Sequence, residues 1–298
     1  MECPNCKGSG REFRIYPKMH PWTQKNARWS TVDPPIAQLP KVVRPMLVPD
    51  PGWPWLVFDW KNIELRIIAY VANDEPLIHM LENNEDAHTV HMCQFFDYPM
   101  PADLTNPGAD KAWAEAIRWQ GGADIRRTFT KRLIFRLCYG GDPELAHTVP
   151  GANKLMSEGI TKGSLIEGSH RWLGKHPALV TYWDKLIEDL KTGTLRTALG
   201  RRRTFLATNW KKRIREGKDF PMQATVSDIK NWLVAQLYKR RDIVRFVKEM
   251  HDSVTTAIRE DAWDEGEAYV RGLALRPWII NGREVVFPAD FEPRRDAE

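Results

Sequence analysis

This chain of 298 residues has no long hydrophobic run. Its apolar stretches are far too short to cross a bilayer, and the mean hydropathy of -0.49 agrees. Cysteine is scarce, at four residues, which excludes a disulfide framework in a chain of this size. The first twenty residues hold charges and prolines but no apolar core. A secretory leader is therefore not expected, and the cytoplasm is the expected compartment. No internal repeat and no low-complexity tract occurs, so repeat arrays and unstructured linkers drop out as architectures.

What remains is an ordinary globular composition, 42% hydrophobic and 28% charged, long enough for one large domain or two modest ones. The net charge is +5. Its distribution says more than its size. Arg201, Arg202, Arg203, Lys211, Lys212, Arg213, Arg215 and Lys218 lie close together against a single acid, Glu216. That is the footprint expected on a phosphate backbone, although charge alone does not separate it from a solvated basic surface. Cys3 and Cys6 form half of a tetrahedral zinc site, with no obvious second half, since Cys93 and Cys138 are isolated. Another chain could complete that half-site.

Residues 1–52 are rich in proline and read as an extended, turn-rich lead-in. Trp55-Leu56-Val57-Phe58 is a short apolar run, expected as a buried strand that ends at Asp59. Ile63, Ile67, Ile68 and Val71 then recur at helical spacing. Asp124 is placed to cap a helix running to about Tyr139, where Gly140-Gly141 stops it. Residues 142–199 read as mostly helical with loops. Val226, Ile229, Trp232, Leu233 and Leu237 mark a further amphipathic helix. Ile243–Val247 and Val254–Ile258 read as strands joined by a hairpin turn at Met250-His251-Asp252-Ser253. Helices mixed with antiparallel strands predict an α+β fold.

Within the helix that follows Asp124, Arg127, Lys131, Phe135 and Tyr139 are spaced by four and so share one face. Two cations followed by two aromatics match a nucleoside triphosphate laid along a helix. On periodicity alone the plainer reading, an exposed basic turn followed by two core aromatics, stands ahead. Asp59 and Asp252 each sit where a strand ends or turns. Two-metal phosphoryl transfer needs carboxylates converging from separate strands, but any two distant aspartates are more often unrelated.

Taken together and in order, these features resemble DNA polymerase family A, the bacterial polymerase I type. Asp59-Trp60-Lys61-Asn62-Ile63-Glu64-Leu65-Arg66 resembles the first palm motif, D-Y-S-Q-I-E-L-R. Arg127, Lys131, Phe135, Tyr139 and Gly140 match the fingers helix at every spacing, and His251-Asp252 is similar to the second palm motif, H-D-E. Weaker matches are Asn26 to Ser30 with Asp33-Pro34 and Leu39-Pro40, Asn73-Asp74-Glu75, Glu85-Asp86-Ala87-His88-Thr89, Gly200-Arg201-Arg202 and Pro221-Met222-Gln223-Ala224-Thr225. The resemblance covers nearly the whole chain from about residue 12.

The resemblance implies an α+β fold with a palm, in two pieces, and a largely helical fingers part. The palm would take 16–75 and 200–298, the fingers 76–199, and a cysteine-bearing segment would precede them at 1–15. It implies template-directed DNA synthesis from dNTPs on a primer–template. Asp59 and Asp252, with the carbonyl of Trp60, would hold two Mg²⁺ ions. Arg127, Lys131 and His88 would bind the triphosphate, and Lys131 could protonate pyrophosphate. Phe135, Tyr139 and Asn62 would line the nucleotide site, and Glu64 would crowd a 2′-hydroxyl. Arg28, Arg215, Gln223 and His251 would touch the primer–template. Departures from the motifs are Trp60, Lys61-Asn62, Ser253 after the second aspartate, Asp219, and Asn26-Ala27. Neither the family's thumb nor its 3′–5′ exonuclease is expected within this chain, and a separate polypeptide, in a split polymerase of phage origin, would supply the thumb. Three other readings stay open: a non-catalytic nucleic-acid-binding subunit, a single-subunit RNA polymerase-like enzyme, and a zinc module built on Cys3 and Cys6.

Overall fold

A computed structural model describes residues 18–20, 30–32, 35–36, 39–40, 42–43, 46–250 and 252–296. Along the chain run β1 (Lys18–His20), β2 (Ser30–Val32), β3 (Trp55–Trp60), α1 (Ile63–Ala72), α2 (Glu75–Glu82), α3 (Ala87–Phe96), α4 (Lys111–Ala116), α5 (Ile125–Cys138), α6 (Ala152–Ser157), α7 (Lys162–Lys175) and α8 (Pro177–Lys191). Then follow β4 (Thr194–Arg196), β5 (Arg202–Thr204), α9 (Trp210–Lys239), β6 (Val244–Met250), β7 (Ser253–Ile258), α10 (Trp263–Ala274), β8 (Trp278–Ile280), β9 (Arg283–Val285) and β10 (Ala289–Phe291). The fold is α+β, as the sequence implies. No helix among the described residues is long and apolar enough to cross a membrane.

The described residues form two compact units. One takes those up to Asp59 together with Ile229–Ala274 and those from Ala289; the other takes Trp60–Asp228 and Leu275–Pro288. The first is built on a four-stranded sheet of order β10-β3-β7-β6. β7 pairs antiparallel with β3, from Trp55 opposite Ala257 to Asp59 opposite Ser253, and with β6, from Val244 opposite Ile258 to Met250 opposite Ser253. β-Branched and aromatic residues dominate these strands, as a pleated, half-buried surface favours. Phe58 is fully buried and its ring lies 5.4 Å from that of Phe291. Helix α10 lies close against the sheet at Gly266, where a Cβ would run into Ile258 Cγ2. Lys230 on α9 and Glu249 on β6 form a nearly buried ion pair at 2.8 Å.

The second unit is mostly helical. Five of its helices start where short polar side chains accept backbone N–H groups: Asp74 for α2, Asp86 for α3, Asp110 for α4, Asp124 for α5 and Thr161 for α7. Its centre is aromatic. Phe95 of α3 meets Phe129 of α5 edge-on at 5.8 Å, and Gly168 of α7 lets that helix approach Phe95, whose ring a Cβ there would meet at 2.8 Å. Nearby, buried Asp74 accepts from Leu77 N–H and pairs with His176 Nδ1 at 2.9 Å. Trp172 packs on the His176 ring and donates its indole N–H to His91.

One element is longer than its sequence pattern suggests. The apolar periodicity starts at Val226, yet α9 begins at Trp210 and runs straight through Pro221. A proline inside a helix clashes with the carbonyl four residues back and removes one hydrogen bond. Here that earlier residue is Gly217, and Phe220, Met222 and Ala224 are all buried, so packing holds the segment helical.

Candidate functional site

The candidate site residues fall in both units, and each group has its own geometry. In the first unit, Asp59 is exposed near the end of β3 and Asp252 is half-exposed in the turn between β6 and β7. Asp59 pairs in register with Ser253, and Ser253 with Met250. Paired residues of an antiparallel ladder have Cα atoms about 4.5–5.5 Å apart, and Asp252 is the next residue along. The fold thus gathers two carboxylates from distant parts of the sequence at one end of the β3–β7 pair. Among the described residues no group of three or more His, Cys, Asp or Glu gathers as a metal cage. Two carboxylates without nitrogen or sulfur ligands suit a hard cation that keeps part of its shell for water or phosphate.

In the second unit, Trp60 is buried and Asn62 turns the chain into α1 with φ 52°, a left-handed conformation that asparagine tolerates. Glu64 lies in the first turn of α1. On α5, Phe129, Thr130, Leu133, Ile134, Leu137 and Cys138 are buried, whereas Arg127, Phe135 and Tyr139 are half-exposed and Lys131 is exposed. The cation-then-aromatic ridge therefore lies on the side of the helix away from its core. The Tyr139 hydroxyl donates to Glu64 Oε2 at 2.5 Å, tying the end of α5 to the start of α1. Just beyond, Gly140 has φ 65° and its carbonyl accepts from Lys218 Nζ at 2.5 Å. A Cβ at Gly140 would meet the flexible end of the Lys218 side chain at 2.9 Å, and the positive φ favours glycine there.

At the other end of the ridge, Arg127 reaches α3. Its Nη2 donates to both Asp86 oxygens, at 2.8 and 3.0 Å, and its Nε to Thr89 Oγ1 at 3.1 Å. His88 is 8% exposed, and its ring lies 6.2 Å from that of Phe135. Burial, together with the charges of Lys131 and Arg127, pushes the His88 pKa down to about 4. Near neutral pH it is an uncharged imidazole, able to hydrogen-bond but not to add a third cation. Burial, then the neighbouring His176 and His88, pushes His91 down to about 3.

These two histidines make the protein acid-sensitive in a defined window. Their folded values lie below the ordinary 6.5, so the unfolded chain takes up protons first. Their stabilisation is whole above about pH 6.5 and is lost as pH falls toward about 4. Thermal melts from pH 7 to 5 should show a falling midpoint, and His91→Gln should flatten the slope. An unchanged slope in that variant would remove His91 from the explanation.

Arg215 is exposed and Gln223 half-buried on α9. Arg28, His251, Cys3 and Cys6 lie outside the described residues. The basic cluster divides in two. Arg201 pairs with Asp228, Arg203 with Glu216 while stacking 4.3 Å over Phe205, and Lys218 holds Gly140. Arg202, Lys211, Lys212 and Arg215 remain exposed. The sequence reading gave no role to Asp86 and Thr89. The available signal was Asp86 as a helix cap two residues before His88; nothing local links it to Arg127.

Comparison with known proteins follows the same lines. The family description "DNA polymerase family A" matches residues 4–274. The thermostable DNA polymerase I of Thermus thermophilus is 22% identical over 282 residues, covering 90% of this chain and 31% of that one. DNA polymerase I of Geobacillus stearothermophilus is 25% identical over 249 residues, 77% of this chain and 25% of that one. The chain thus spans about a quarter to a third of the length of these curated relatives. In fold it matches the polymerase domain of Pol1 from M. smegmatis, solved with DNA primer-template and dNTP, at a TM-score of 0.74 and 19% identity, over 95% of this chain and 48% of that one. With the matched segment taking in both strand-end aspartates and the whole α5 ridge, the chain belongs to DNA polymerase family A.

Proposed function

We propose that this chain performs template-directed DNA synthesis, transferring a nucleotidyl group from a dNTP to a primer 3′-hydroxyl by a two-metal mechanism. The observation that carries the proposal is the register of β3 on β7, which brings Asp59 and Asp252 to one strand end within a chain of this family. Asp59, Asp252 and the Trp60 carbonyl would hold two Mg²⁺ ions. When bound, such ions activate the attacking oxygen and neutralise charge on the leaving pyrophosphate.

The remaining work is positioning and charge stabilisation by side chains. Arg127 and Lys131 bind the triphosphate oxygens, and neutral His88 adds a hydrogen bond. Lys131 gives a proton to the departing pyrophosphate. Phe135, Tyr139 and Asn62 line the space for the sugar and base. Arg28, Arg215, Gln223 and His251 hold the primer–template. The palm occupies 16–75 and 200–298 and the fingers 76–199. The enzyme acts in the cytoplasm.

Glu64 crowds the position of a 2′-hydroxyl, and its hydrogen bond to Tyr139 keeps it there. Glu64→Ala should narrow the preference for dNTP over rNTP by about tenfold or more. Primer extension with Mg²⁺, run with each nucleotide type, tests both function and gate. No incorporation with or without a candidate partner would reject the enzyme; equal discrimination by wild type and Glu64→Ala would reject the gate alone.

A further inference from the structure

The guanidinium of Arg127 is held from one side only. Its Nε and Nη2, which form one edge of the planar fork, are taken by Thr89 Oγ1 and the Asp86 carboxylate. Its Nη1 makes no hydrogen bond to any described residue, and the side chain keeps 20% of its exposure. Asp86 is itself fixed. It accepts from the His88 and Thr89 backbone N–H groups as the cap of α3, and from the Thr89 hydroxyl at 2.8 Å. Thr89 is fully buried. Burial opposes ionisation of Asp86, but the hydrogen bonds from Arg127 and Thr89 outweigh it and hold the carboxyl below its ordinary range.

We infer that Asp86 and Thr89 are positioning residues for Arg127, seating one edge of its guanidinium on the start of α3 so that the opposite edge is preset for an anionic phosphate oxygen. The inference rests on the reading above that Arg127 binds the triphosphate. Arginine carries high rotamer freedom, and a fork already seated loses less of it when the ligand arrives. Asp86 also cancels part of the arginine charge, so its removal has two opposed effects. Thr89 carries no charge, and Thr89→Val keeps side-chain volume while deleting only the hydroxyl. It therefore isolates positioning from charge.

The test is an equilibrium titration of the full chain with a deoxynucleoside triphosphate and Mg²⁺, with melting temperature recorded for each variant. Thr89→Val should raise the Kd about tenfold, the scale of one hydrogen bond to a charged group. Thr89→Ser, which restores the hydroxyl, should recover most of that loss. In an Arg127→Ala background Thr89→Val should change nothing further, because the group it positions is gone. A loss of equal size in that background, or no loss in wild type, overturns the positioning role while leaving Arg127 as a triphosphate ligand. An unchanged Kd in Arg127→Ala overturns the parent reading and this one with it. Should Thr89→Val not fold, Asp86→Asn keeps an acceptor for the α3 cap but turns a donor toward Arg127. It should weaken binding; tighter binding would mean that Asp86 acts as an electrostatic brake instead.

Discussion

Asp252→Ala should lower primer extension by about a thousandfold or more while leaving template binding intact. A carboxylate that fixes a catalytic ion contributes several kcal/mol to the transition state, and each 1.36 kcal/mol is tenfold in rate. Asp59→Ala should do the same, because the two residues occupy one end of the β3–β7 pair. Their effects should not add, since either loss disables the same step. The sign for DNA is different. Binding draws on cations against phosphate, and removing an acid takes away repulsion rather than attraction. A gel-shift titration beside the extension assay separates the two. Activity within tenfold of wild type in either variant would show that the strand-end aspartates do not carry the chemistry.

The largest expected loss of stability lies elsewhere, at Asp74. This side chain is fully buried, accepts from the Leu77 N–H as the cap of α2, and holds His176 Nδ1 at 2.9 Å. His176 in turn supports Trp172, whose indole donates to His91. Asp74→Ala leaves a backbone donor and a ring nitrogen buried without partners. Breaking a buried pair of this kind costs about 3–5 kcal/mol, which is roughly a 10 °C fall in melting temperature for a chain of this size. Asp74→Asn retains one acceptor oxygen and should recover part of the loss. A melting point for Asp74→Ala within about 2 °C of wild type, outside the range set by this mechanism, would show that the network contributes nothing net.

Much of the local structure was legible before any coordinates. The cap at Asp124, the helix after it and the stop near Gly140 follow from short-range rules, because caps and helical periodicity act over one or two turns. The strand from Trp55 into Asp59 is legible for the same reason, as is the pair of strands around residue 252. The start of α9 was not, since Pro221 breaks the local pattern and only burial of Phe220 and Met222 restores the helix. The basic cluster was legible as charge. Its division into paired Arg201, Arg203 and Lys218 and exposed Lys211, Lys212 and Arg215 was not, because Asp228 and the Gly140 carbonyl are distant in sequence.

By itself the sequence determined which residue types sit on which helix face and at which strand ends, and their order identifies the family. The tertiary structure alone decided who meets whom: Asp59 beside the β7 turn, Tyr139 on Glu64, Arg127 on Asp86 and Thr89, His176 on Asp74. The physical reason is range. Backbone geometry and capping are settled within a few residues, whereas a hydrogen bond between residues far apart along the chain exists only after burial has brought their elements together.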